Sequence, residues 1–269
     1  MHPVLIQIGP FSIRYYGLMY VLGIIAAIFL VRSEVRRKGL PLTDDDQMNL
    51  LLLTVFAGII GARLYYVVFN WSYYRQFPWE IPAVWRGGLA IHGGVIGGTC
   101  AVLWFARRRK IPFLRLTDVL APPLILGQAL GRFGNFMNGD AHGVPTSLPW
   151  GVVFAPQTPA GMQFPNTPLH PTMLYEMALN LGIFAYLWGT RQRPAKDGYT
   201  TMRYLLLYSL GRFGVEFLRA DSLWFGPLRA AQLVSATLIV LSATLILTWR
   251  LWLPESPSRT SLRRPASPR

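Results

Sequence analysis

Four polar side chains fall at helical spacing in an otherwise apolar stretch, Tyr208, Arg212, Glu216 and Arg219. At ~100° per residue they sit at about 0°, 40°, 80° and 20°, so all four share one stripe. Leu210, Phe213 and Phe217 face elsewhere. An arginine inside a membrane span costs at least ~2.5 kcal/mol on insertion scales, so it persists only beside a wet cavity or a counter-ion. Glu216, one turn on, is a natural partner. Two chemistries fit. One is a structural ion pair. The other is a phosphate site, because the guanidinium fork matches phosphate oxygens and stays charged.

A second cluster runs Gly131-Arg132-Phe133-Gly134-Asn135-Phe136-Met137-Asn138-Gly139-Asp140-Ala141-His142-Gly143. Its glycines let backbone approach a ligand, while Arg132, Asn135, Asn138 and Asp140 supply charge, donors and acceptors. His92, within Gly87-Gly88-Leu89-Ala90-Ile91-His92-Gly93-Gly94, is placed to move a proton near neutral pH or to serve as an interfacial side chain. His170-Pro171-Thr172 opens another apolar stretch and brings Tyr175 and Glu176 one turn in. Arg14-Tyr15-Tyr16-Gly17 reads alone as an interfacial aromatic girdle.

These residues need long apolar elements to carry them. The chain has 269 residues, 52% hydrophobic and 14% charged, with formal charge +14. Seven apolar stretches stand out, at about 15–31, 48–69, 88–106, 116–131, 170–190, 203–221 and 230–252. The fourth is short and carries Pro122-Pro123. The pattern predicts an all-α integral membrane protein, a seven-transmembrane-helix bundle over residues 1–253 with a periplasmic loop region, 132–169, after the fourth helix. The first stretch reads as a retained span, not a cleavable leader.

Basic residues crowd every second connection: Arg32, Arg36, Arg37 and Lys38; Arg107 to Lys110; Arg191, Arg193 and Lys196; and the final tail. The positive-inside rule then places the N-terminus outside and the C-terminus in the cytoplasm. It accounts for the charge better than nucleic-acid binding does. Residues 254–269, rich in Pro, Ser and Arg, read as a disordered basic tail. Asp44, Asp45 and Asp46 read as a solvated helix start. The single cysteine, Cys100, lies among small apolar residues and reads as packing.

Taken together the segments resemble the phosphatidylglycerol–prolipoprotein diacylglyceryl transferase family. Its hallmark Gly-Arg-x-Gly-Asn-Phe-x-Asn-Gly-Glu-x-x-Gly stands here as Gly131 to Gly143, with Asp140 at the usual Glu. The match continues in Tyr15 to Tyr20, His92-Gly93-Gly94, His170-Pro171-Thr172 with Leu174-Tyr175-Glu176, and Tyr208 to Arg219. Met173 and Ala220, before Asp221, depart from the usual residues.

The resemblance implies a bacterial inner-membrane enzyme with its active site toward the periplasm. A lipobox cysteine thiol of a prolipoprotein signal peptide attacks the glycerol carbon that bears the phosphate of phosphatidylglycerol. A thioether forms and glycerol phosphate leaves, with no cofactor, metal or nucleic acid involved. It implies His92, Arg132 and Arg212 as catalytic residues. Tyr16, Asn135, Asn138 and Tyr208 join both arginines around the lipid. Asp140, Gly143, His170, Tyr175, Glu176, Glu216 and Arg219 support them.

A channel with Arg and Glu on a solute path would show inverted repeats, which the sequence lacks. An intramembrane serine protease needs a nucleophile turn that Ser209 does not supply. A metal-dependent lipid transferase would have to use the aspartates at 44–46 from a cytoplasmic loop.

Overall fold

A computed structural model describes residues 3–9 and 11–254; the basic tail expected at 254–269 lies, beyond Pro254, outside the described residues. The described chain is mainly helical and divides between Gly134 and Asn135 into two units.

The first unit opens with a hairpin, β1 (Val4–Ile8) and β2 (Phe11–Arg14), that runs into α1 (Tyr15–Lys38). Gly39, at φ 60°, closes α1 by donating to the carbonyls of Arg36 and Val35, as a left-handed helix cap does. α2 (Asp44–Phe69) starts on a reciprocal capping box, Thr43 with Asp46. A short α3 (Trp71–Tyr74) and two 3-10 turns lead to α4 (Ile91–Arg109) and then α5 (Phe113–Asn138).

Aspartates 44–46 do start a helix, but Asp46 is buried and ion-paired to Arg109, so that part of the solvated reading is corrected. The pairs Lys38–Asp118 at 2.8 Å and Arg37–Glu34 at 2.5 Å sit at the same end of this unit. They surround an apolar core of Val31, Val35, Leu50, Phe105, Leu116 and Val119.

Glycine sets the helix spacing. A Cβ at Gly97 would overlap the carbonyl of Ala57, and one at Gly93 would overlap that of Gly61. α2 and α4 therefore touch backbone to backbone, the contact that small residues four apart permit in lipid. At Gly98, by contrast, a Cβ would rest at an ordinary 3.6 Å from the Thr54 methyl. Gly97→Val is therefore expected to destabilise by about 1–3 kcal/mol, and Gly98→Ala to leave the thermal midpoint in detergent nearly unchanged. Equal midpoints for the two variants would contradict this account of the contact.

α1 and α5 run antiparallel. A Cβ at Gly23 would meet Gly127 at 3.7 Å, and one at Gly134 would lie 2.6 Å from Tyr16 Cδ2. The short fourth span expected at 116–131 is thus extended at both ends, with Pro122 and Pro123 buried inside the helix. The outer loop expected from 132 begins only at Gly139, whose φ is 68°. Gly131 and Gly134 do not break the helix, and Gly134 provides close approach to Tyr16.

In the second unit residues 139–171 are irregular, with a short α6 (Pro159–Gln163), and then come α7 (Thr172–Thr190) and α8 (Tyr199–Glu216). A hairpin, β3 (Trp224–Phe225) and β4 (Leu228–Arg229), leads to α9 (Ala230–Trp249). The irregular stretch is packed: Phe154, Ala160, Leu169 and Met173 form a buried cluster with Phe136 and Phe164 against it. Trp150 stays exposed.

The sixth span expected to reach 221 stops as helix at Glu216. Val144 N–H donates to the Leu218 carbonyl at 2.9 Å and Ala220 N–H to the His142 carbonyl at 3.2 Å, and this strand-like pairing replaces the helical ladder.

Among the described residues four helices, α1, α2, α5 and α9, are long and apolar enough to cross a membrane. Their exposed residues are those a lipid-facing surface would carry, among them Phe29, Phe56, Val68, Val240 and Leu247.

Candidate active site

The second unit assembles the arginine stripe. Arg212 lies four residues before α8 ends, nearer that end than a helix starting at 203 implied. Its Nη1 donates to Glu176 Oε1 at 2.8 Å, and its Nη2 is 2.7 Å from Glu216 Oε2. Arg219, past the helix end, donates through Nη1 to the same Glu176 oxygen at 2.9 Å. It also grips Asp221 with two parallel bonds of 2.9 and 2.6 Å. Arg229 donates to the Glu216 carbonyl and lies over the Trp224 ring.

The carboxylates are the inner members of this network. The side chains of Glu176 and Glu216 are 4% and 1% exposed, against 17% for Arg212. Buried anions need such partners, and deleting a partner from a buried pair leaves an uncompensated charge. A guanidinium has five N–H donors. Among the described residues Arg212 donates one of them to Glu176 and sets a second nitrogen at ion-pair distance from Glu216. The two glutamates therefore fix its plane and leave other N–H groups for an anion. Tyr208 follows one turn earlier on α8, its ring stacked on Tyr204 at 5.9 Å.

The glycine-rich segment is anchored beside this network. Asn135 Nδ2 donates to Asp140 Oδ1 at 2.6 Å, and Asp140 N–H returns to the Asn135 carbonyl at 3.2 Å. A Cβ at Gly139 would strike the Thr158 side chain, and one at Gly143 would strike His170 and the Leu218 carbonyl. Gly143 N–H donates to the His170 carbonyl at 3.0 Å, and Thr172 Oγ1 to the Ala141 carbonyl at 2.8 Å. The segment thus lies between the start of α7 and the end of α8. Asn138, on the last turn of α5, has its Oδ1 buried. The Tyr175 hydroxyl receives Trp150 Nε1–H at 2.8 Å and stands 3.2 Å from His170 Nδ1.

The first unit holds the remaining candidates. Tyr16 packs on Gly134, two residues past Arg132 on α5, and meets Tyr20 edge-on at 5.0 Å. His92 is the second residue of α4 and is exposed, its ring 5.8 Å from that of Tyr65.

Sequence reasoning passed over Arg63 and Arg229, and gave Asp221 no role in the site. Arg63 carried a signal, a lone arginine within the apolar run of α2. Beside it, Tyr73 donates to Glu80 Oε2 at 2.9 Å, and that bond holds its phenol above the usual range.

A family model described as prolipoprotein diacylglyceryl transferase matches residues 3–248. The chain is 46% identical over 244 residues to the phosphatidylglycerol–prolipoprotein diacylglyceryl transferase of Synechococcus elongatus, covering 88% of this chain and 83% of the relative. Its namesake in Synechocystis sp. is 45% identical over 254 residues, covering 89% and 86%. That of Geobacillus kaustophilus is 44% identical over 252 residues, covering 90% of each.

Proposed function

This chain belongs to the prolipoprotein diacylglyceryl transferase family, and on that premise we propose that it transfers the diacylglyceryl group of phosphatidylglycerol to the lipobox cysteine of prolipoproteins. The cysteine sulfur attacks the glycerol carbon bearing the phosphate. The carbon–oxygen bond to phosphate breaks, a thioether forms, and glycerol phosphate departs with the bonding electrons.

The observation that carries the site assignment is the Arg212 guanidinium, clamped by the buried Glu176 and Glu216. Fixed positive charge is what a departing phosphate needs, because it stabilises negative charge developing in the transition state without reorganisation. Arg132 is the second cation for the same phosphate. Tyr16, Asn135, Asn138 and Tyr208 orient the headgroup. Glu176, Glu216 and Arg219 hold Arg212, while Asp140, Gly143, His170 and Tyr175 shape the surrounding segment. The thiol must lose its proton to attack, and His92 takes it.

The membrane arrangement is seven crossings, adding α4, α7 and α8 to α1, α2, α5 and α9. The N-terminus is outside, and the site lies on the periplasmic side of the bacterial inner membrane. Basic clusters at the ends of α1 and α4 support this orientation.

The test is reconstitution of the full chain with phosphatidylglycerol labelled in its acyl chains and a lipobox peptide. Label is expected on the cysteine, and a Cys→Ser peptide is expected to stay unlabelled. No transfer to the cysteine peptide under conditions that support a relative's activity would refute the reading. In the same assay His92→Gln should lower the rate by about 10²–10⁴-fold, the usual worth of a general base. Full turnover with an unchanged pH profile would remove His92 from that role.

A further inference from the structure

Arg63 is a buried cation that the proposed reaction leaves unused. It points from α2 at the connection between α3 and α4 and is 5% exposed. Nη2 donates to the Glu80 carbonyl at 2.6 Å and Nε to that of Ile81 at 2.7 Å. Nη1 reaches the Gly87 and Gly88 carbonyls at 2.8 and 3.1 Å. The guanidinium also lies 5.1 Å from the centre of the Tyr74 ring.

One planar fork therefore ties together both ends of the turn that precedes α4. Nearby carboxylates are engaged elsewhere: Glu80 pairs with Arg86 at 2.6 Å. A single cation satisfying four backbone carbonyls is a latch whose geometry lysine cannot reproduce, since an ammonium is a point charge with three donors.

The latch continues into His92. Gly88, at φ 71°, is pressed onto the arginine, and a Cβ there would lie 2.6 Å from Arg63 Nη1 and 2.8 Å from the Tyr66 ring. Ala90 N–H donates to the Ala62 carbonyl at 3.0 Å. Two residues later His92 faces Tyr65, which stacks on Phe69 at 4.5 Å. Ala62, Arg63, Tyr65 and Tyr66, a single turn of α2, thus fix residues 87–92.

We infer that Arg63 is a positioning residue for His92, acting through the four-carbonyl latch on residues 80–88. This rests on His92 being the proton acceptor of the proposed transfer. It extends that reading by naming what sets the imidazole's place. Displacement of a reacting group by about 1 Å can lower a rate on the order of 10²-fold. Loosening the latch should therefore act on the chemical step, leaving lipid binding intact.

The experiment compares full-length wild type, Arg63→Lys, Gly88→Ala and Arg86→Gln in the label-transfer assay, with trypsin cleavage after the exposed Arg75 and Arg86 reporting on the connection where those sites remain. Arg63→Lys is expected to reduce kcat by about tenfold or more, to leave KM for phosphatidylglycerol within about twofold, and to speed cleavage. Gly88→Ala attacks the latch from the other side and should do the same. It keeps the proposal testable if Arg63→Lys does not accumulate. Arg86→Gln, which breaks only an exposed pair, should retain wild-type kcat. In a His92→Gln background, Arg63→Lys should lower kcat no further.

Wild-type kcat in both latch variants would overturn the inference. So would a raised KM at unchanged kcat, or an undiminished Arg63→Lys effect in the His92→Gln background. Absence of transfer by the wild-type protein would instead refute the underlying activity, and the cleavage rates would still report whether the latch exists.

Discussion

Arg212→Ala is expected to abolish diacylglyceryl transfer, by about 10³-fold or more, while the protein still inserts. That is the scale on which removal of an arginine stabilising a transferring phosphate acts. Stability will also fall, because Glu176 and Glu216, both nearly inaccessible, lose a shared cation. The two effects separate in a compensated variant. Arg212→Met combined with Glu176→Gln and Glu216→Gln removes both glutamate charges as well as the arginine and leaves Arg219 its pair with Asp221, and neutral replacements of a buried ion pair are often tolerated. The thermal midpoint in detergent should recover toward wild type in the triple variant, and transfer should not. Recovery of transfer together with stability would mean that Arg212 is a structural tie and that the phosphate is held elsewhere. Arg212→Lys makes a finer point, because it keeps the charge but loses the fork. It should retain a measurable minor fraction of the rate.

The parts of this design that could be read in the sequence are those with a short period. Apolar runs marked each long helix, and the 3.6-residue spacing put Tyr208, Arg212 and Glu216 on one face of α8. Charge complementarity offered Glu176 either Arg212 or Arg132 as a partner, and it lies 2.8 Å from Arg212. What escaped depends on contacts between distant segments. The glycines of 131–134 suggested a loop, because glycine alone does not distinguish a turn from close helix packing. Tyr16, more than a hundred positions away, decides for packing. The same ambiguity hid the end of α8, where pairing of 142–144 with 218–220 outcompetes another helical turn. Arg63 was overlooked because its partners are backbone carbonyls of Glu80, Ile81, Gly87 and Gly88, groups every residue carries. Asp46 was misjudged as solvated because Arg109, which buries it, arrives from another helix.

Arg132→Ala is expected to match Arg212→Ala in severity, also about 10³-fold or more, for a reason that belongs to the substrate. The leaving group is a phosphodiester oxygen whose charge grows as the carbon–oxygen bond breaks. In the proposed reaction Arg132 is a second cation for that phosphate, and two like charges are held favourably together only when an anion lies between them. The two arginines should then be energetically coupled through the lipid. Lysine variants retain enough activity to measure this. Arg132→Lys and Arg212→Lys alone and together form a double-mutant cycle on kcat/KM, with an expected coupling of about 0.5–3 kcal/mol for groups sharing one partner. The same cycle on thermal stability without phosphatidylglycerol should close to within about 0.5 kcal/mol. Additive losses in kcat/KM would place the two guanidiniums on different groups. They would leave Arg212 with its glutamates as the phosphate site and return Arg132 to a role within α5.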